Sequence, residues 1–289
     1  MPQNIQAIYW ALLATALFAG VIAMAKLAVV DYHVLQIVFF RQIIVLLSAL
    51  PTVIKTFPHS LRTKHPSLHA LRLTGAFVAL TTGVWAVAVL PLTTAITLTF
   101  AKVFFVALLA LWFLGEPVGR HRQLAVLAGF IGVLVVMRPG QGGFVDLNAL
   151  IPVVGALGAA TAVTSVRRLS QTESTATLLA YQALFVGVMA GVPLFWLWET
   201  PDWSGLLLLV SMGVLATAAQ WVGVRALRMG EASVIGPIEY MKLIYAAILG
   251  FALFGELPDR YTILGAAIIV GSSGYMMMRE ARAKHRLRA

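Results

Sequence analysis

The amino-acid sequence predicts an all-α integral membrane protein, with ten transmembrane helices set as two inverted five-helix repeats around a central cavity. Three observations carry this prediction. The 289 residues are 60% hydrophobic and only 11% charged, with a mean hydropathy of +0.90, whereas a soluble domain carries about 25% charged residues. Ten apolar runs approach or exceed the roughly 20 residues that a helix needs to cross a bilayer. A shift of 140 residues lays the fourth of these runs on the ninth.

In chain order the spans are read at 6–29, 34–54, 71–90, 92–114, 122–138, 147–166, 176–198, 205–226, 232–254 and 261–278. The flank of the first, MPQNIQAIYW, lacks the basic start of a signal peptide, and the run is too long for one, so it reads as a retained span. Lys26 stands near its outer end, where a long side chain snorkels. The second span carries Arg41. A longer connection, HSLRTKHPSLHALR, leads to the third, with Trp85 midway. The fourth holds Lys102, and the fifth ends at RPGQGG, residues 138–143, which reads as the linker between halves. The seventh span carries Gln182 and a Gly187-x-x-x-Gly191 packing motif. Trp196, Trp198 and Trp203 read as an aromatic belt at one interface, and Tyr9, Trp10 and Trp112 as its counterpart. Trp221 lies in the eighth span, and the ninth contains Gly236-Pro237, Glu239 and Lys242.

Lys and Arg set the orientation. With the N-terminus in the cytoplasm, fifteen of the 21 fall in the inner loops and tail and two, Arg138 and Arg260, outside. That bias places both termini in the cytoplasm. It also explains the pI near 10.3 without a nucleic-acid partner. The remaining four cations lie within spans: Lys26, Arg41, Lys102 and Lys242.

In the 140-residue shift Lys102 falls on Lys242, Gly115-Glu116 on Gly255-Glu256, and Gln42 on Gln182. The halves are thus 1–140, a first five-helix repeat, and 141–289, a second repeat with a basic tail. Five spans per half is an odd number, so the second copy enters the membrane from the other side, a plan shared by many secondary transporters.

An ionisable group at mid-membrane costs about 2.5–3.5 kcal/mol on insertion scales and marks a site by default. Lys102 and Lys242 are therefore the leading substrate-binding candidates. Glu239, three residues before Lys242, shares its helix face; Thr99 holds the equivalent place in the first half. Phe105 and Tyr245 follow their lysines by three residues and, with Trp85 and Trp221, are candidate walls. Gln182 is a candidate polar contact. Arg41 reads as a gating or structural residue clamping the outer ends, and Gly236-Pro237 as a kink placing the site near Glu239. Two cations, one anion and aromatic walls suit a zwitterion with an apolar or aromatic side chain.

The chain has no cysteine, so disulfides and thiol chemistry are excluded. It has no GxxxxGK[ST], HExxH or GxSxG motif, and its six histidines show no ligand spacing. It therefore reads as no enzyme, with no cofactor or metal. Its partners are a small-molecule substrate and the lipid bilayer, and a monomer is compatible with the sequence.

Ten spans in five-plus-five halves, with Leu-Gly-Glu-Pro at 114–117 and Phe-Gly-Glu at 254–256, resemble the drug/metabolite transporter superfamily, in particular the EamA-type ten-helix exporters. The resemblance covers essentially the whole chain and is greatest to bacterial inner-membrane exporters of aromatic amino acids. It implies a basket-shaped bundle, a central cavity and export by alternating access. Many relatives carry a proline near the position of Lys102. Related phosphate-ester exchangers hold phosphate with basic residues on the equivalent helices. The alternative substrate is thus another small metabolite or drug, such as a phosphorylated metabolite or an organic cation.

Overall fold

The computed structural model describes residues 3–56, 63, 65–114, 120–137, 147–169, 173, 175–229 and 236–286. Among these every regular element is helical, as lipid requires of a chain that must satisfy its own backbone polar groups. The helices are α1 (Gln3–Ala28), α2 (Val34–Thr56), α3 (Pro66–Val89), α4 (Leu92–Thr99), α5 (Lys102–Leu114), α6 (Arg120–Met137), α7 (Leu150–Leu169), α8 (Thr175–Gly191), α9 (Leu194–Leu197), α10 (Trp203–Met229), α11 (Met241–Phe254) and α12 (Arg260–Arg286). Seven helices or helix pairs are long and apolar enough to cross a membrane, and two shorter apolar helices accompany them among the described residues. The linker 138–143 and Glu116 lie outside the described residues.

Breaks fall where local chemistry places them. Pro66 opens α3 at the position where its missing N–H costs nothing. Leu90 is extended ahead of Pro91, as a residue before proline must be, and so separates α3 from α4. The seventh span, expected to be continuous to 198, stops at Gly191, and Pro193 leads into the short α9. Asp202 caps α10 by accepting hydrogen bonds from the Ser204 hydroxyl and the Gly205 N–H, both at 2.7 Å. These bonds hold its carboxyl below the usual carboxylate range.

Packing follows the exchange of halves. The shift equates α1 with α7 and α3 with α10; α1 packs along α10, and α3 along α7. Likewise α5 lies against α7 as α11 lies against α1, while the equivalent pairs α2–α8 and α6–α12 pack directly. The core runs through the middle of the bundle, around Ile37, Leu92, Leu98, Phe104, Leu209 and Met212. Phe104 is fully buried because Gly129 on α6 leaves the slot that its ring fills.

The α3–α7 crossing is the tightest kind. A Cβ on Gly75 would sit 2.6 Å from the Gly158 carbonyl oxygen, and one on Gly158 would sit 2.7 Å from that of Gly75. Small residues let helix backbones touch where lipid removes any hydrophobic drive to associate. Gly75→Val is therefore expected to lower stability in detergent by about 1–3 kcal/mol, the usual cost of overpacking. Thermal unfolding followed by tryptophan fluorescence measures it, and an unchanged midpoint would mean that this crossing yields easily. Gly191 of the small-residue motif packs its bare face against the Phe39 ring on α2.

Candidate functional site

Just before their lysines, the fourth and ninth spans are not α-helical. After α4 the chain tightens, with the Phe100 N–H donating to the Thr97 carbonyl at 3.2 Å and the Ala101 N–H to that of Leu98 at 3.1 Å. Ahead of α11 lies a 3₁₀ turn, Gly236–Tyr240. This turn starts at the Gly236-Pro237 pair expected to break the helix. Lys102 opens α5, and Lys242 stands second in α11.

The two lysines meet at one carboxylate. Glu239 Oε2 accepts a hydrogen bond from Lys102 Nζ at 3.2 Å, and Lys242 Nζ lies 3.8 Å from the same oxygen. The sequence pairs Glu239 with Lys242 within one helix; the structure adds Lys102 from the other half. The triad keeps one positive charge in excess. Its side chains are 34% (Lys102), 17% (Lys242) and 45% (Glu239) exposed, so the group opens onto accessible space. Lys242 Nζ also lies over the Phe18 ring, 5.2 Å from its centroid.

Equivalent residues meet in two further places. The Phe100 and Tyr240 rings, 140 positions apart, lie 5.1 Å from each other. The Gln42 amide donates to the Gln182 carbonyl oxygen at 3.3 Å.

Beside the triad is a cavity of about 160 Å³ enclosed by α1, α2, α3, α4 and α10. Phe18, on which Lys242 rests, forms part of its wall, as does Thr99, whose hydroxyl donates to the Ile96 carbonyl at 2.7 Å. Ile22, Leu80, Val84, Val87 and Met212 give it an apolar lining, and Arg41 supplies its charge. Arg41 Nε is buried without a hydrogen-bond partner. The expected outer clamp through Arg41 has no protein acceptor among the described residues.

Other predicted site residues stand elsewhere. Gln182 is held by Arg72, whose guanidinium donates to the Gln182 side-chain oxygen at 3.1 Å and to the Leu178 carbonyl at 3.0 Å. Phe105 packs edge-on against Phe130 of α6, 5.3 Å away, and is turned from the cavity. Trp85 and Trp221 are 51% and 59% exposed and do not line the cavity; nor does Tyr245, which is half-buried. An aromatic side chain in an apolar span packs or faces lipid unless a polar neighbour turns it inward.

Two polar clusters bracket the site at opposite ends of α3. At one end buried Arg72 and His69 meet the second half; His69 pairs with Glu173, which also accepts from the Thr63 hydroxyl. At the other, Lys26 does not snorkel. It pairs with Glu256 and donates to the Leu90 carbonyl at 2.9 Å, while Glu256 Oε2 accepts the Leu92 N–H at 2.8 Å. Gly255, at φ 66°, turns the chain so that Glu256 can point there. Sequence reasoning missed this contact, although its own topology puts Lys26 and Glu256, opposite charges, at the same membrane face.

A model of the EamA-like transporter family matches the chain twice, over residues 5–138 and 147–278. The chain is similar to an S-adenosylmethionine uptake transporter of Rickettsia bellii, 27% identical over 95% of this chain and 94% of the relative. It is 30% identical to a riboflavin transporter of Vibrio cholerae, over 98% of this chain and 97% of the relative. A pseudopaline exporter of Pseudomonas aeruginosa is 28% identical over 90% and 92%. One crystal structure, 17% identical, superposes with a TM-score of 0.59 over 97% of this chain and 98% of that one, a likeness of fold alone.

Proposed function

Because the chain belongs to the EamA-like transporter family, and so is a small-molecule transporter rather than an enzyme, we propose that it carries amino acids, aromatic or other large neutral ones, across the bacterial inner membrane by alternating access. The observation that carries this reading is the convergence of Lys102 and Lys242, from opposite halves, on Glu239 beside an apolar cavity. A zwitterion offers both signs to such a group. Its ammonium pairs with Glu239, and its carboxylate answers the excess of cations around the site.

The triad also ties binding to movement. Lys102 belongs to one half and Glu239 to the other, so a ligand that competes for this pair loosens a bridge between halves. Two inverted halves rocking about a midplane site then open it to one side and the other in turn. Both termini are read as cytoplasmic, and net movement as export. S-adenosylmethionine, which the Rickettsia relatives are named for taking up, carries the same ammonium and carboxylate, joined through a sulfonium cation to an adenosyl group. Riboflavin is the second reading, favoured by the identity with the Vibrio relative along nearly the whole chain.

Counterflow in proteoliposomes tests the proposal, with phenylalanine, tyrosine, S-adenosylmethionine, riboflavin and a phosphate ester loaded in turn. Labelled phenylalanine is expected to accumulate against loaded amino acids. Lys242→Met is expected to cut that accumulation about tenfold or more, since one charge-assisted hydrogen bond contributes about 1.5–3 kcal/mol. The fold should survive, because Lys102 still neutralises Glu239. Accumulation against riboflavin alone would install the second reading, and wild-type turnover in a folded Lys242→Met variant would remove the lysine from the site.

A further inference from the structure

Resting on that reading, we propose that Arg41 is the oxyanion subsite of the carrier: it, and not Lys102 or Lys242, receives the carboxylate of the substrate. The two lysines already share Glu239, at 3.2 and 3.8 Å. Lys26 has Glu256 and the Leu90 carbonyl, and Arg72 has Gln182 and Leu178. Arg41 alone among these cations is left without an acceptor among the described residues, its Nε buried, at the wall of the cavity.

A guanidinium in that position is costly to the empty protein. Polar groups removed from water without a partner destabilise the fold, and charged groups more so. An incoming carboxylate supplies what is missing, because the planar fork matches its two oxygens. The neighbour Gln42 is bonded to α8 and is itself buried, which fixes the register of α2 and holds Arg41 at the cavity. The equivalent of Arg41 in the second half is Tyr181, which packs on His69 at 4.7 Å, so the subsite exists once.

The rest of the cavity describes the substrate's body. Apolar cavities of about 150 Å³ take up benzene, and this one measures about 160 Å³ with walls of Ile22, Leu80, Val84, Val87 and Met212. It accepts one ring or a branched aliphatic group. Phe18 and Thr99 form its edge towards the triad: Phe18 carries Lys242, and Thr99 lies three residues before Lys102. A bound amino acid therefore has its carboxylate at Arg41, its side chain in the apolar space and its ammonium towards Glu239.

Three probes and two variants test this. Phenylalanine, 3-phenylpropionate and phenethylamine share the ring and differ in which charges they carry. Binding of each to detergent-purified wild type, Arg41→Gln and Arg41→Lys is measured by tryptophan fluorescence, alongside thermal unfolding. Arg41→Gln is expected to weaken phenylalanine and 3-phenylpropionate at least tenfold and to leave phenethylamine unchanged. Arg41→Lys should restore part of the loss. The melting temperature of Arg41→Gln should equal or exceed that of wild type, because no protein contact is removed, whereas a structural clamp would lose stability.

Undiminished phenylalanine binding in Arg41→Gln would overturn the inference and leave the amino-acid reading standing, as would equal weakening of all three probes. Arg41-dependent binding of 3-phenylpropionate, with no binding of phenylalanine by wild type, would keep the oxyanion subsite and sink the amino-acid reading. Failure of wild type to bind either carboxylate would overturn the subsite itself.

Discussion

Glu239→Gln is expected to cut counterflow by about 10–100-fold and to weaken the fold at the same time. The carboxylate is the common partner of Lys102 and Lys242. Without it two cations face each other at the junction of the halves, and the glutamine oxygen can satisfy one of them weakly. Removing one member of a buried ion pair costs about 3–5 kcal/mol, while an exposed pair contributes at most about 1 kcal/mol. Glu239 is 45% exposed, so the loss of stability should fall between those bounds. Transport should fall further than stability alone would cause, by about 10–100-fold, because the ammonium loses a charge-assisted partner of about 1.5–3 kcal/mol. The double variant Glu239→Gln, Lys102→Met separates the two effects. It removes the unpaired cation from α5 and should recover the melting temperature without recovering transport. Wild-type counterflow in Glu239→Gln would show that the triad is a structural knot and that the solute passes elsewhere.

The contrast between Glu239 and the aromatic candidates shows what a membrane sequence discloses. Helix positions were legible because lipid demands about 20 apolar residues per crossing. Lys102 and Lys242 were legible as a pair because charge is scarce at that depth and both recur at the same offset. Glu239 was found because it stands one turn from Lys242. The rotation of each helix was not legible. Helices that are apolar all round carry no amphipathic signal to say which face looks inward, so the sequence does not tell that Trp85, Trp221, Tyr245 and Phe105 lie outside the cavity beside Arg41. Gln182 reads as a candidate polar contact, and the sequence does not disclose that its partner is Arg72 from the other half. Arg41 reads as a clamp because a sequence does not reveal whether a neighbouring helix brings an acceptor; here none of the described residues does.

Glu256→Gln is expected to open the end of the molecule that Lys26 closes. Glu256 follows α11 and reaches both Lys26 on α1 and the Leu92 N–H at the start of α4, while Lys26 also holds the Leu90 carbonyl. This staple joins the second half to the first at the end of α3 opposite Arg72, above a cavity bounded by Ile22 and Ala25. Breaking it in the resting state, and not in the state open on that side, moves the balance by its own free energy: each 1.4 kcal/mol is a factor of ten in population. One charge-assisted bond is worth about 1.5–3 kcal/mol, so the open population should rise by at least about tenfold. The chain has no cysteine, which makes Ile22→Cys a clean reporter. A membrane-impermeant maleimide applied from the Lys26 side should label Ile22→Cys about ten times faster when Glu256→Gln is also present. Lys26→Met should act in the same direction, since it removes the same ion pair and the bond to the Leu90 carbonyl. Equal labelling rates in all three backgrounds would mean that this end does not open during the cycle. If the rates rise while counterflow falls, the carrier is held open by the loss of one carboxylate, and the staple is the closing contact of alternating access.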